Sequence, residues 1–281
     1  VYSLPEQWIL TRLGQVSDEI SSALDMYRFN EAAALCYQFV WHEFCDWYLE
    51  MAKQGIYSHD ETVKQSSRFV LQEVLMAVLK LLHPFMPFIT EELWQRLPGS
   101  QGSIMVAEFP KGSDFVVQTL AVKEMDLLMG IIAGVRNIRG EMNIPPSKKV
   151  NILLEIPEST DAEVIRGNII YIQNLARVDS VEVKSVVSKP EASATSVFGK
   201  NQVHVILKGL LDFQEERKRL RKEIKKIEGD MDEANKKLSN KKFMEKAPEE
   251  IVEKVRKKSE SISLKLEKLN QNLSFFESIH D

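Results

Sequence analysis

The feature that most constrains this chain is the apolar spacing of its last third. Phe213, Leu220, Ile224, Ile227, Met231, Ala234 and Leu238 form one set, and Val255, Ile262, Leu266, Leu269, Leu273 and Phe276 form a second. After an opening gap of seven, both sets advance by alternating steps of four and three. That is the seam of a coiled coil, with Arg217 and Ser259 at the two skipped positions. Between the sets lie Ser239-Asn240-Lys241-Lys242-Phe243 and then Ala247-Pro248-Glu249-Glu250. Pro248 suits a first helical turn, and the two acids complement its positive end. The segment therefore predicts two helices folded back on each other, each about 27 residues and about 40 Å long at 1.5 Å per residue.

Charge divides along the same line. The whole chain carries −4, which excludes a uniformly basic nucleic-acid binder. Residues 212–281 hold 18 basic against 16 acidic side chains, whereas residues 1–211 hold 19 against 25. The positive excess thus lies in the predicted hairpin. Arg217, Lys218, Arg219, Arg221, Lys222, Lys225 and Lys226 crowd its root, and Lys236, Lys237, Lys241, Lys242 and Lys246 crowd its tip. Cations in line along one face suit phosphates, because each neutralised phosphate releases counterions. A solvated coiled-coil exterior with glutamate partners accounts for the same composition.

The first region, residues 1–146, reads as helices. Trp8, Ile9, Leu13, Val16, Ile20 and Leu24 recur at helical steps. Asn30 is placed as the N-cap of a second helix, with Leu35, Phe39, Phe44 and Trp47 on its stripe and Gly55 at its end. A third helix follows Asp60 and stops at His83-Pro84. Thr90 is placed as the cap of a short helix ending near Leu97-Pro98-Gly99, with Ile104 to Phe109 extended after it. A last helix runs from about Val116 to Met142, in which Gly130 and Gly134 permit a neighbouring helix to approach. Trp41, Trp47 and Trp94 are placed in helix interfaces, and Asp46 as a structural acceptor. Helices joined by short loops predict an antiparallel bundle.

Residues 147–209 change period. Val150 to Ile156 reads as a strand, Thr160 to Ala176 as a helix, and Val181 to Val187 as a second strand. Val197-Phe198 and Val203 to Leu207 flank Gly199-Lys200-Asn201, a hairpin signal. The fold class is thus mainly α: a helical bundle, a small α+β module, and a coiled-coil hairpin over residues 210–281.

Catalytic groups are missing. His42-Glu43 opens a zinc-protease pattern, but Asp46 stands where the second histidine would be, so no metal is expected. Gly99 and Gly102 lack the lysine and hydroxyl of a phosphate loop, and no Gly-x-Ser-x-Gly elbow occurs. Glu91 and Glu92 are adjacent and do not face each other on a helix; they read as first-turn acids. Cys36 and Cys45 fall on opposite sides of one helix and read as reduced thiols of a cytosolic protein. No run of 18 apolar residues exists. The start, Val1-Tyr2-Ser3-Leu4-Pro5, has no basic region and reads as a cut through a longer chain.

Several stretches together resemble the C-terminal region of the bacterial-type valine–tRNA ligase family. They are Trp8 to Leu13, Tyr27 to Ala33, Phe39-Val40-Trp41 through Tyr48, His83 to Trp94, and Arg136 to Ser147, in the family's order. In the tail, Lys237 to Asn240 and Phe243 through Glu249 resemble that family's arm tip. The stretch from His83 to Trp94 is shared with isoleucine and leucine ligases, whereas the tip and the coiled coil favour the valine family. The resemblance implies a class I anticodon-binding bundle and an arm meeting the outer corner of tRNA. It implies a parent that uses ATP and Mg²⁺ to esterify valine to its tRNA. The parent's two ATP-site signatures do not occur in this chain, so it is expected to hold no cofactor and to be inactive alone. Its expected partners are valine tRNA and the parent's catalytic and editing domains. A cytoplasmic, membrane-free monomer is expected. Candidate RNA-binding residues are Arg136, Arg139, Lys148 and Lys149 in or beside the bundle. In the arm they are Arg217, Arg221, Lys236, Lys237, Lys241, Lys242, Phe243 and Lys246. Each has a structural alternative: an ion pair for Arg136 and Arg139, and packing at the hairpin end for Phe243. A structural adaptor that docks another protein through the coiled coil remains the alternative class.

Overall fold

The computed structural model describes residues 2–240 and 248–279. The chain divides into two compact units, residues 1–133 with 158–176, and residues 134–157 with 177–281.

The first unit is a helical bundle. Helix α1 (Leu4–Asp25) begins with Pro5 in its first turn and buries Trp8, Ile9, Leu13, Val16 and Ile20, the stripe its spacing predicts. Helix α2 (Phe29–Tyr37) starts one residue before Asn30, with Arg28 as its N-cap, so Asn30 is not the cap. It continues without a break into a π-helix, Gln38–Tyr48, and then α3 (Leu49–Ile56). A π-helix turns the chain less per residue than an α-helix, so its buried residues, Phe39, Phe44 and Tyr48, follow steps of five and four. Trp41 does not lie in the interface predicted for it. It is 54% exposed, its ring stacked on Tyr37 at 6.3 Å and an interplanar angle of 5°. Trp94, by contrast, is buried as expected. Asp46 is also exposed, and its carboxylate meets His42 Nδ1 at 3.2 Å.

Gly55 lies inside α3 rather than after it. A methyl group there would overlap Ser67 Oγ and sit 2.8 Å from Ser67 Cβ. Helix α4 (Glu61–Leu82) is capped by Asp60, whose Oδ1 accepts from the Thr62 and Val63 N–H groups at 2.8 and 3.3 Å. Thr90 does not cap α5 (Pro87–Trp94). It sits within the helix, donates to Met86 O at 2.8 Å and shares a 2.7 Å hydrogen bond with His83 Nδ1. The segment after α5, read as extended, forms a 3₁₀ turn over Ile104–Val106. Glu91 shapes it by accepting from Ser103 Oγ at 2.7 Å and the Ile104 N–H at 3.2 Å. Hydrogen bonds from Gln95 and Ser103 hold that carboxyl below its ordinary range. Helix α6 (Thr119–Glu141) contributes Leu128 and Ile131 to this core. The last two helices are α7 (Ser159–Gly167) and α8 (Ile169–Ala176). They were expected as one helix; Asn168 breaks it, its amide turning back to Val164 O at 2.8 Å.

The second unit is built on a four-stranded sheet, β1 (Val150–Glu155), β2 (Val178–Lys184), β3 (Ser193–Phe198) and β4 (Asn201–Ile206), in the order β2-β1-β4-β3. The pair β1–β2 is parallel, and β4 runs antiparallel to both β1 and β3. Gly199 turns the β3–β4 hairpin at φ +57°, a conformation that favours glycine. Ile152, Leu154, Val203 and Val205 supply its core. Gly134, on the part of α6 belonging to this unit, was expected against another helix. It meets the hairpin instead: a Cβ there would lie 3.1 Å from Ser196 Oγ and from Val203 Cγ1.

From this sheet the chain continues into α9 (Phe213–Ser239) and α10 (Glu249–Ser278). Asp212 caps α9, accepting from the Gln214 and Glu215 N–H groups at 2.9 and 3.0 Å. The two helices pack along the predicted seam, with Leu220, Ile224, Ala234, Leu269 and Phe276 buried. Val252, absent from the predicted seam, joins it. At the skipped positions, Arg217 Nη2 donates to Ile279 O at 3.3 Å, and Ser259 Oγ lies 3.5 Å from Met231 Sδ and Asn235 Oδ1.

Candidate nucleic-acid interface

The α9–α10 hairpin sorts its charges by position. Arg219 lies between Glu216 and Glu223, with bonds of 2.9 Å from Nε to Glu216 Oε1 and 2.8 Å from Nη1 to Glu223 Oε2. The hydrogen bonds to Glu216 raise its pKa further. Lys265 reaches Glu223 from α10 at 3.2 Å and holds that carboxyl below its ordinary range. Arg221 pairs with Glu277 at 2.7 Å. The Lys265–Glu223 and Arg221–Glu277 pairs join the two helices, whereas the Arg219 pairs stay within α9.

The outer face is different. Lys218, Lys222, Lys225, Lys226, Lys236 and Lys237 are all exposed. At about 100° per residue their side chains fall within an arc of about 120°, centred opposite the buried seam. Among the described residues, none of the six has a carboxylate within ion-pairing distance. Only Glu215 and Glu233 share the arc. Ammonium groups left without acidic partners keep their full attraction for an external anion, and a row of them matches a phosphodiester backbone.

Of the residues singled out from sequence, Lys236 and Lys237 lie on this face. Arg221 is on its flank and is taken up by Glu277. Arg217 sits half-buried in the seam. Lys241, Lys242, Phe243 and Lys246 lie outside the described residues. Sequence ranking missed the weight of Lys218, Lys222, Lys225 and Lys226. Counting them at helical angle rather than by local density would have found it.

The basic residues near the end of α6 are not alike. Arg136 is exposed. Arg139, three residues on, is 9% exposed, and its Nη2 donates to Pro145 O at 2.9 Å. Burial lowers its pKa, and the guanidinium is committed to the loop that follows α6. Lys148 donates to Leu210 O at 2.7 Å, and Lys149 lies 3.6 Å from Asp179. No group of His, Cys, Asp and Glu that could hold a metal is found among the described residues. Burial raises the Cys36 thiol to about 11, and the same group donates to Leu81 O at 3.5 Å, so this cysteine is a packing residue. No helix among the described residues is long and apolar enough to cross a membrane.

Residues 6–154 match the family model of the anticodon-binding domain of tRNA ligases. The chain belongs to that family. Residues 212–276, which take in α9 and most of α10, match the model of the valyl tRNA synthetase tRNA binding arm. The curated relatives agree with both matches. A valine–tRNA ligase of Syntrophotalea carbinolica is 46% identical over 273 residues, covering 96% of this chain and 30% of that protein. That of Geobacter sulfurreducens is 41% identical over 270 residues, 95% and 30% respectively. That of Thermotoga maritima is 41% identical over 254 residues, 90% and 28% respectively. The chain thus spans under a third of the length of these relatives. It combines a bundle that matches the anticodon-binding domain with a hairpin that matches the arm model, and the lysine face described above lies on that hairpin.

Proposed function

We propose that this chain binds valine tRNA on behalf of a valine–tRNA ligase, with the outer face of α9 tracking the phosphate backbone. The observation that carries the reading is the row of six exposed lysines opposite the seam, within a segment similar to a tRNA-binding arm. Lys236 and Lys237 extend that row toward the tip, where Lys241, Lys242, Lys246 and Phe243 are proposed to meet the tRNA corner. The bundle is proposed to face the anticodon stem-loop, with Arg136 as its candidate at the end of α6. Arg139 is left to hold the following loop. Domain limits of 1–146, 147–209 and 210–281 are proposed on this basis. The parent is proposed to esterify valine to tRNA with ATP and Mg²⁺ in the cytoplasm, acting as a monomer. The 281-residue chain by itself is expected to transfer no valine.

The test is a salt titration of binding to valine tRNA. For the unchanged chain, log Kd should vary linearly with log salt. Each lysine that meets a phosphate contributes about 0.7–0.9 to the slope. Lys222→Ala, Lys225→Ala and Lys226→Ala together should reduce the slope by about 2–3. A slope unmoved by that triple change, with equally weak binding to any RNA, would overturn the arm reading.

A further inference from the structure

In the bundle, a cavity of about 120 Å³ is lined by Ser3, Glu6, Tyr48, Gly55, Ser67 and Tyr171, among others. Three features define its chemistry. Tyr48 closes the π-helix with no exposed surface, and its Oη has no hydrogen-bond partner among the described residues. Glu6, 4% exposed, presents its carboxylate to the same space. That carboxylate already accepts from the Ser3 N–H at 2.7 Å and from Ser67 Oγ at 2.5 Å. Gly55 keeps the cavity open, since any side chain there would overlap Ser67.

We propose that this cavity is a built hydration site, in which ordered water accepts from the Tyr48 hydroxyl and donates to the Glu6 carboxylate. A buried phenol without a partner is costly, and native interiors supply one, commonly water. The volume exceeds the roughly 30 Å³ that one water occupies in the liquid, and the lining offers both donors and acceptors. A cation is the poorer fit. The Glu6 charge lies in the first turn of α1, where two donors and the positive end of the helix already answer it. The site needs a ligand that gives one hydrogen bond and takes another, which water does and a bare cation does not. Through that water, Tyr48 at the end of the π-helix is linked to Glu6 in α1, which Ser67 ties to α4. This inference does not depend on the tRNA reading.

A crystal structure of the 281-residue chain at about 1.5 Å is the test, on the unchanged protein and on Tyr48→Phe. The expected result is a water peak within hydrogen-bond distance of Tyr48 Oη and of a further water or Glu6. In Tyr48→Phe that peak should vanish while the Ser67–Glu6 bond persists. Crystals of the unchanged protein grown with a thallous salt give a reading that does not depend on the variant folding. An anomalous peak in the cavity would overturn the proposal in favour of a monovalent cation. Direct bonding of Tyr48 Oη to Glu6 or Tyr171, with the cavity collapsed and free of density, would overturn it as well.

Discussion

Phe276→Ala should loosen the root of the arm, whereas Leu264→Ala on the same helix should not. Phe276 is 1% exposed, with ring centroids 5.8 Å from Phe213 and 5.4 Å from Phe275. A phenylalanine buried to this degree removes about 200 Å² from water. At about 25 cal/mol per Å² this comes to about 5 kcal/mol. A compact denatured chain already shields part of that surface, which brings the figure to about 3–4 kcal/mol. Large-to-small changes in cores span a similar range. Leu264 is 63% exposed, so its truncation should stay within about 0.5 kcal/mol. Native-state hydrogen exchange with peptide resolution measures both. Amides of α9 and α10 near the root should exchange roughly a few hundredfold faster in Phe276→Ala, and peptides of the bundle should be unchanged. Equal acceleration in the two variants, or a change below about fivefold in Phe276→Ala, would show that the seam does not hold the hairpin together.

Other outcomes follow from single sites. Gly55→Ala should destabilise the bundle by about 2 kcal/mol or more in urea unfolding, because the new methyl overlaps Ser67 and displaces its bond to Glu6. His204 is 2% exposed in β4, with Nδ1 2.9 Å from Thr195 Oγ1 and Nε2 unpartnered among the described residues. Burial depresses its pKa below the ordinary 6.5, so the neutral ring is favoured in the folded sheet. The unfolded chain then takes up the proton first. The His204 contribution is therefore complete above about pH 6.5 and is lost as pH falls toward the depressed folded value. Thermal midpoints measured from pH 8 to pH 5 should fall more steeply for the unchanged chain than for His204→Gln; parallel curves would refute this assignment. Arg139→Ala should lower thermal stability while leaving the salt slope for tRNA unchanged, since its guanidinium holds Pro145 O.

Those contrasts also show which parts of the molecule were readable from its residues. The seam of the hairpin was, because a repeat of four and three over two long segments has one common geometric solution, and the strands around Gly199 were, because few residues turn a hairpin. The π-helix was not. Its residues carry no compositional mark, and residue type alone places Trp41 in a helix interface although it lies two residues from Phe39, on the far side of the helix from it. The fates of Arg136 and Arg139 were equally hidden. Both are arginines one turn apart on α6, but Arg139 is buried and bonds Pro145 O whereas Arg136 is exposed, and that depends on where the loop returns. On the arm, density of charge drew attention to clusters, whereas angular position decided which lysines stay without a carboxylate. The family resemblance suggests tRNA as the arm's partner and cannot rank its lysines.

The two polar residues in the seam bear on which alignment the hairpin adopts. A purely apolar repeat is nearly indifferent to sliding by one heptad, about 10 Å along the axis, since every layer would again meet a like layer. Arg217 and Ser259 remove that degeneracy. In the observed alignment Arg217 stands at the open end, where the carbonyl of Ile279 receives it, and Ser259 stands opposite Met231 and Asn235. Slid by a heptad, the guanidinium would lose that carbonyl and be pressed toward apolar layers, at a cost of several kcal/mol. One arginine at the root therefore acts as a ruler: it sets where α10 lies along α9, and so which α10 side chains stand beside each part of the lysine row.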